Sequence, residues 1–327
     1  MNLRVSIRFF NFSLIASIFL SACGEESSTM DPITRISGNG IKNVTPIVDQ
    51  GDPIDPATAS LFLELSSLDA TTTADLYSTA DASDSHFLVT CRENSGFDPD
   101  ARCPNALTTG GFSFNAALGA ICTATSPSPC TNYNTGQCLL VRDTANPLSV
   151  NSEAVSTGFS ISVWLALPAL PTGTGAIFSR YEAGTNQREF YFALRQKTTN
   201  GPFHLYFQKS LPFDGTSQAT ESYYSSRGFT TEDVGTTDAP KWVHVAMTFD
   251  PSTMKVSFYI NGALDSENSI VNAGILGAAA RTYVGCLHRS SYLPDNFFQG
   301  TMDDFAFFKG RVLTPREVLY LSLDTAR

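Results

Sequence analysis

From Phe159 to Leu167 the chain alternates without a break. Phe159, Ile161, Val163, Leu165 and Leu167 are apolar, and Ser160, Ser162, Trp164 and Ala166 stand between them. A period of two sends every second side chain to the same face of an extended chain, so this segment reads as a strand laid against a core. The same period returns in Phe190, Phe192, Leu194 and in Phe203, Leu205, Phe207. Short apolar or alternating runs also occupy 61–65, 86–90, 111–115, 138–142, 175–181, 242–249, 255–260, 281–285 and 301–308. Many short strands separated by turn residues predict an all-β fold, a jelly-roll β-sandwich of two antiparallel sheets, spanning residues 60–327. The 24 phenylalanines suit the wide space between two packed sheets. Asp250-Pro251-Ser252-Thr253 and Asn261-Gly262 mark two turns, the second suited to the positive-φ positions of a tight hairpin. One short helix is expected at the C-terminal end. Thr314-Pro315-Arg316-Glu317 is a capping box with Pro at the first helical position, and Val318, Leu319, Leu321 and Leu323 supply an apolar flank.

The amino-terminal end carries a different signal. Arg4 and Arg8 precede an apolar run from Phe9 to Leu20, too short for a membrane span of ~20 residues and right for a signal peptide over residues 1–22. Leu20-Ser21-Ala22-Cys23 resembles a bacterial lipobox, which implies that Cys23 is lipidated and becomes the mature N-terminus. The alternatives are an uncleaved anchor or an ordinary cleaved signal. In the lipobox pattern an Asp after the lipidated Cys retains a protein in the inner membrane; Gly24 stands here and implies the outer membrane, facing the periplasm or the surface. Residues 23–59 are rich in Ser, Gly, Asp and Pro without an apolar period, and read as a flexible tether.

Seven cysteines would leave one thiol unpaired in an exported chain. Setting Cys23 aside leaves Cys91, Cys103, Cys122, Cys130, Cys138 and Cys286, an even set that reads as up to three disulfides of open connectivity. No C-x₂-C pair supports a zinc site instead. The stretch 91–138 is interrupted by Pro, Asn, Gly and Ser, and reads as loops stapled by these cysteines. The formal charge is −10; without Arg4 and Arg8, 19 basic residues face 31 acidic ones. No basic stripe is present, which argues against nucleic acid as a partner.

Three motifs stand in order: "FSISVWLAL" after Gly158, "KWVHVAMTFDPSTMKVSFYINGAL" from Lys241, and "FFQGTMDDFAFFKGRVLTPREVLYL" from Phe297. They resemble the alternating strand, the "WHHVAVTYDG…LYVNG" hairpin and the "IDEVRIYNRALS" ending of the laminin-G-like and concanavalin A-like lectin/glucanase superfamily, in its pentraxin-related bacterial branch. "GGFSFN" at 110–115 and "LFLELSSLD" at 61–69 resemble that family's earlier strands. The resemblance implies a sandwich and, for Trp242 and His244, a place in the sheet rather than in catalysis. It also aligns Asp303 and Asp304 with family carboxylates that could join a structural calcium with backbone carbonyls. The other role for such an Asp is to bond backbone N–H groups. Asn115 replaces a family Asp, and Cys286-Leu287-His288-Arg289 stands where pentraxins carry their calcium cluster.

No Glu-x-Asp-x-x-Glu strand of the family's glycoside hydrolases is present; Glu189 is a lone strand carboxylate. Lyases on this fold gather Arg, Gln, His and Tyr on one sheet, a set that "REFYFALRQ", His204 and Tyr206 match only in type. A catalytic residue is therefore not assigned. The segment 209–237 departs most from the family and is expected to be a long loop. Tyr223, Tyr224 and Arg227 within it, with Arg289 and Tyr292 near 287–297, are the candidate ligand contacts. The expected function is recognition of a glycan or an envelope or surface protein by a lipid-anchored, non-catalytic domain. A polysaccharide hydrolase or lyase and a structural envelope lipoprotein are the alternatives.

Overall fold

The alternating segments pair into two sheets stacked face to face. The computed structural model describes residues 58–63, 78–80, 88–90, 105–106, 112–114, 137–142, 148–150, 157–182, 187–212, 219–236, 239–288 and 294–323, all within the compact unit Gln50–Arg327. Among them no helix is long and apolar enough to cross a membrane. Cys23, the tether up to residue 57, Cys91, Cys103, Cys122, Cys130, Arg289 and Tyr292 lie outside the described residues.

The chain runs through β1 (Leu61–Leu63), β2 (Ser78–Ala80), β3 (Leu88–Thr90), β4 (Asn105–Ala106), β5 (Phe112–Phe114), β6 (Leu139–Arg142), β7 (Phe159–Ala166), β8 (Gly175–Glu182) and β9 (Gln187–Gln196). It continues with β10 (Phe203–Ser210), β11 (Thr220–Phe229), β12 (Trp242–Asp250), β13 (Lys255–Ile260), β14 (Ala263–Ser269), β15 (Thr282–Val284), β16 (Leu287–His288), β17 (Pro294–Asp295) and β18 (Gly300–Lys309). It then enters the helix α1 (Pro315–Leu321). The first sheet has the order β14-β13-β12-β7-β18-β5-β4, with β1 beside the far half of β18. The second has the order β11-β10-β9-β8-β15-β6-β3-β2, with the short pair β16 and β17 appended to β8. The expected jelly-roll sandwich with one short terminal helix is the fold.

Alternation explains the core. Phe159, Ile161, Val163 and Leu165 of β7 face inward with Val245, Met247 and Phe249 of β12, all buried. Phe190, Phe192, Phe203, Leu205 and Phe207 meet them from the second sheet. The Phe159 ring lies 5.0 Å from Phe190 and 5.3 Å from Phe249, so one side chain joins both sheets. Each such ring contributes about 1.5–3 kcal/mol of burial. Gly158 leads into β7 at φ +75, where a Cβ would fall 2.3 Å from the Phe249 carbonyl oxygen; only glycine fits.

The turns follow their residues. Asn261 (φ 51) and Gly262 (φ 76) take the two left-handed positions between β13 and β14. The Asp250 carboxylate accepts from the Ser252 and Thr253 N–H groups and closes the turn between β12 and β13. Thr314 and Glu317 form the expected reciprocal cap, with Pro315 in the first turn of α1.

Part of the outer face of the first sheet is covered by its own chain. Val318 of α1 and Leu313 before it pack on Ala246, Tyr259, Ala306 and Phe308. Ser160 Oγ donates to the Arg311 carbonyl at 3.0 Å and accepts from Leu313 N–H at 2.8 Å. His244 is fully buried there, its Nε2 2.8 Å from Ser162 Oγ and its ring edge-on to Trp164 at 5.3 Å. This histidine holds a sheet together.

One expectation is corrected. The segment 209–237 is not a long loop: Lys209 and Ser210 end β10, and β11 pairs antiparallel with β10 from Thr220 to Phe229. β11 is an edge strand with much of one face exposed, so its apolar period is weak and its Ser, Arg and Gly content reads as loop. It is tied to the edge of the other sheet. Asp265 of β14 accepts from Ser226 N–H at 2.6 Å and Arg227 N–H at 3.0 Å.

Candidate functional site

The two faces of the second sheet use similar residues for different ends. Pairing of β8 with β9 steps from Arg180↔Phe190 to Tyr181↔Arg188, which leaves Glu189 as an extra residue in a bulge. The bulge turns Glu189 into the interior. There it pairs with Arg180 at 3.1 Å, both side chains fully buried, and accepts from Val150 N–H at 3.0 Å and Ala278 N–H at 3.1 Å. Ser149 Oγ donates to the same carboxylate and Arg180 to Thr282 Oγ1. Glu189 is thus fully buried, and its carboxylate is taken up by bonds within the fold.

Beyond the bulge the phase is regular, and β9 and β10 present their out-of-phase residues on the outer face. β9 contributes Tyr191, Ala193 and Arg195; β10 contributes His204, Tyr206 and Gln208; β11 contributes Ser222 and Tyr224, opposite Gln208 and Tyr206. Tyr181 of β8 and Leu287 of β16 complete the cluster. The rings form a connected set: Tyr181 lies 5.3 Å from Tyr191, Tyr191 5.5 Å from Tyr206, and Tyr206 4.7 Å from Tyr224. Tyr191 and Tyr206 are buried beneath the surface, whereas Tyr181, Tyr224, Arg195 and Gln208 are half-exposed above them.

A directed hydrogen-bond chain crosses this face. Arg195 Nη1 donates to the Tyr206 hydroxyl at 3.0 Å and to the Tyr191 hydroxyl at 3.3 Å. Both hydroxyls donate onward to Gln208 Oε1, at 2.6 Å and 3.2 Å. The guanidinium also lies 4.8 Å over the Tyr206 ring, and Lys197 Nζ lies 6.0 Å over the Tyr224 ring. Burial, then the neighbouring Tyr206, pushes the Tyr191 phenol far up, and burial raises Tyr224 against the opposing pull of Arg195. For Arg195, burial acts to lower its proton affinity, but the phenol oxygens of Tyr191, Tyr206 and Tyr224 outweigh it and raise it. Tyr191 and Tyr224 thus hold their protons more tightly than free phenols beside a fixed cation.

A cleft of about 200 Å³ opens here, lined by Tyr181, Tyr191, Arg195 and Gln208, with Thr174, Leu287 and Asn296 at its sides. A larger cavity of about 340 Å³ lies on the other sheet beside α1, between Phe62, Trp164, Asp304 and Tyr320. Its lining is chiefly apolar side chains from the packing of helix on sheet. The smaller cleft carries convergent polar groups and a cation.

The sequence-predicted contacts divide. Tyr224 belongs to the cluster. Tyr223 does not: it faces the opposite way, buried with its ring stacked on Phe207 at 6.4 Å, because alternation puts neighbours on opposite faces. Arg227 lies near the end of β11, half exposed and paired with Asp233, away from the tyrosines. His204 is buried, its Nδ1 2.9 Å from the Ser225 carbonyl oxygen. Asp303 accepts from the Asp304 N–H at 2.9 Å, beside a bulge where Asp304 sits at φ 44. Among the described residues no three His, Cys, Asp or Glu side chains converge as metal ligands. Cys138 and Cys286 form a disulfide with Cα atoms 5.6 Å apart, two of the six cysteines expected to pair. It joins the start of β6 to the chain beyond β15, next to the cleft.

The site residues that sequence reasoning missed are Tyr181, Tyr191, Arg195 and Gln208. Their signal was present: the phase complementary to Phe190-Phe192-Leu194 is Tyr191-Ala193-Arg195, and that complementary to Phe203-Leu205-Phe207 is His204-Tyr206-Gln208.

Comparison with known proteins agrees with this architecture. No curated protein sequence matches the chain. The structure of botulinum neurotoxin type C described for its interaction with two ganglioside molecules superposes with a TM-score of 0.50 at 14% identity, over 83% of this chain and 52% of that one. The receptor-binding domain of the botulinum neurotoxin C/D mosaic serotype gives the same figures. The chain thus spans about half the length of these toxin chains. The heptameric SAP-like pentraxin of Limulus polyphemus is more distant, with a TM-score of 0.35 at 16% identity over 50% of this chain and 69% of that one. The family model described as the concanavalin A-like lectin/glucanases superfamily matches residues 142–319, more than half of the sequence, from the end of β6 into α1. With two antiparallel sheets, an inward phenylalanine core and the three motifs in place, the chain belongs to the concanavalin A-like lectin/glucanases superfamily.

Proposed function

We propose that this protein is a glycan-binding domain whose ligand lies on the outer face of the second sheet, over Tyr181, Tyr224, Arg195 and Gln208. The observation that carries the reading is the ordered tyrosine cluster around a single cleft. Aromatic rings offer apolar faces to the C–H faces of sugars, and fixed hydroxyl, amide and guanidinium groups select the hydroxyl pattern. The ganglioside interaction described for botulinum neurotoxin type C belongs to a protein alike in fold; the assignment here rests on the side chains. The lipobox and the polar segment 23–59 support a lipid anchor at Cys23 that holds the domain at the outer membrane. The test is a glycan array probed with the wild type and with Tyr224→Ala and Tyr181→Ala. Binding weakened in both variants supports the reading, and unchanged binding overturns it.

A polysaccharide lyase is a second reading, favoured by one observation: Arg195, His204, Tyr206 and Gln208 do gather on one sheet face, as lyases of this fold arrange such residues. Against it, His204 is buried with its Nδ1 at the Ser225 carbonyl oxygen rather than facing the cleft. Incubation of acidic polysaccharides with the protein, followed by ultraviolet absorbance for unsaturated sugar, separates the two. Product release establishes the lyase; bound but intact polymer supports the binding domain.

A further inference from the structure

We infer that the ligand of this face is an acidic sugar, its carboxylate or sulfate held by Arg195 with Lys197 at the rim. The inference rests on the glycan-binding reading and narrows it to a chemical class. Three observations carry it.

The first is the direction of the hydrogen bonds. The Tyr191 and Tyr206 hydroxyls both accept from Arg195 Nη1 and both reach Gln208 Oε1, and the Tyr206 hydroxyl also shares a hydrogen bond with Ser222 Oγ at 2.8 Å. The Gln208 amide oxygen thereby meets both hydroxyls, which leaves its NH₂ group as a donor with no protein partner among the described residues. Among the described residues, Arg195 bonds protein acceptors only through Nη1, so Nε and Nη2 remain as donors in the fork geometry that fits a carboxylate or sulfate. The cleft therefore presents donors and asks for acceptors.

The second is the distribution of charge. The chain is acidic overall, with a formal charge of −10, yet among the described residues that line this cleft none is a carboxylate. The one strand carboxylate that could neutralise Arg195 along β9, Glu189, is turned inward by the bulge and consumed by Arg180. Among the described residues neither Arg195 nor Lys197 has an ion-pair partner; each lies over a tyrosine ring instead. A half-buried guanidinium with neutral neighbours gains most from an anionic partner that the ligand supplies.

The third is rigidity. Arg195 is held by two hydroxyls at Nη1 and a ring beneath the guanidinium, so little side-chain entropy remains to be lost on binding.

The experiment is isothermal titration of the purified domain, residues 24–327 as a soluble chain, with two matched pairs. One pair is polygalacturonate and the same polymer with its carboxylates reduced to alcohols; the other is dextran sulfate and dextran. The expected result is binding of at least one acidic polymer roughly tenfold or more tighter than its neutral match, the size of one charge-assisted hydrogen bond. Preference for polygalacturonate identifies carboxylate as the recognised group, and preference for dextran sulfate identifies sulfate. Arg195→Gln should erase the difference within each pair, and Arg195→Lys, which keeps the charge without the fork, should restore part of it. Lys197→Gln should weaken the acidic polymer a few-fold and flatten its salt dependence. Thermal unfolding of each variant checks that the fold is kept. Equal binding of acidic and neutral polymers overturns the inference and leaves the glycan-binding reading standing. An Arg195→Gln variant that is folded and keeps the preference also overturns it. A wild type that binds none of the four polymers and nothing on the glycan array overturns the underlying reading instead.

Discussion

Two arginines on adjacent strands of one sheet, Arg180 and Arg195, meet opposite surroundings. Arg180 points inward, fully buried, and is answered by the Glu189 carboxylate and the Thr282 hydroxyl. Arg195 points outward, half-exposed, and among the described residues is answered by phenol oxygens and a ring face. The difference lies in the counter-charge. A buried ion pair with its remaining lone pairs bonded is closed and serves the fold; a cation among neutral acceptors keeps donors open, as the proposed ligand site requires. The bulge at Glu189 is the device that separates them, since one extra residue removes the only β9 carboxylate from the outer face.

The inner cluster should fail by unfolding. Glu189→Ala leaves the Arg180 guanidinium buried without its partner, and should destabilise the domain by about 3–5 kcal/mol in denaturant titration. Replacing both residues together, as Arg180→Met with Glu189→Leu, should cost far less than the two single changes combined, because no charge is stranded. A double variant as unstable as Glu189→Ala would show that the backbone bonds to Glu189 outweigh the ion pair. Next in size, Cys138→Ala with Cys286→Ala should lower stability by about 2–4 kcal/mol, since the disulfide closes 148 residues of sequence separation.

A smaller effect concerns pH. Burial first, and Arg281 second, lower the His288 pKa to about 4 from its ordinary value near 6.5. Its unfolded form therefore binds more protons between those values, so this contribution to stability is present above the upper pH and is lost as pH falls toward 4. His288→Gln should flatten the thermal-unfolding profile across that window. An identical slope in wild type and variant would assign the acid sensitivity to carboxylates elsewhere. The smallest stability effect belongs to the outer cation. Arg195→Gln should change folding by less than about 1 kcal/mol, since half-exposed contacts of this kind contribute little. A loss as large as that of Glu189→Ala would erase the contrast between the two faces.

Much of this was legible in the residues. The run 159–167, the 242–264 hairpin with Asn261-Gly262, and the Thr314–Glu317 cap each carry a local rule, and each folded as that rule dictates. β11 and β14 were hidden because they are edges: strands such as Ala263–Ser269, largely exposed, need no apolar period. The choice of Tyr223 beside Tyr224 failed for a related reason. Once the segment is a strand, adjacent tyrosines must part, and only Tyr224 stays outside. Glu189 was beyond local reading, because a bulge inverts the face of a residue and its cause lies in pairing with another strand. The meeting of Tyr181, Tyr191, Tyr206 and Tyr224 likewise depends on register across four strands.

The sharpest contrast available compares Arg195 with Arg227, two partly exposed arginines of the same sheet, one at the tyrosine cluster and one paired with Asp233 at the edge. Titrating polygalacturonate and dextran sulfate into Arg195→Gln and Arg227→Gln measures which of them faces the ligand. The account predicts that Arg195→Gln loses the acidic preference while Arg227→Gln binds as the wild type does. The reverse outcome, with binding lost in Arg227→Gln and kept in Arg195→Gln, would contradict it and move the site to the edge of the sandwich.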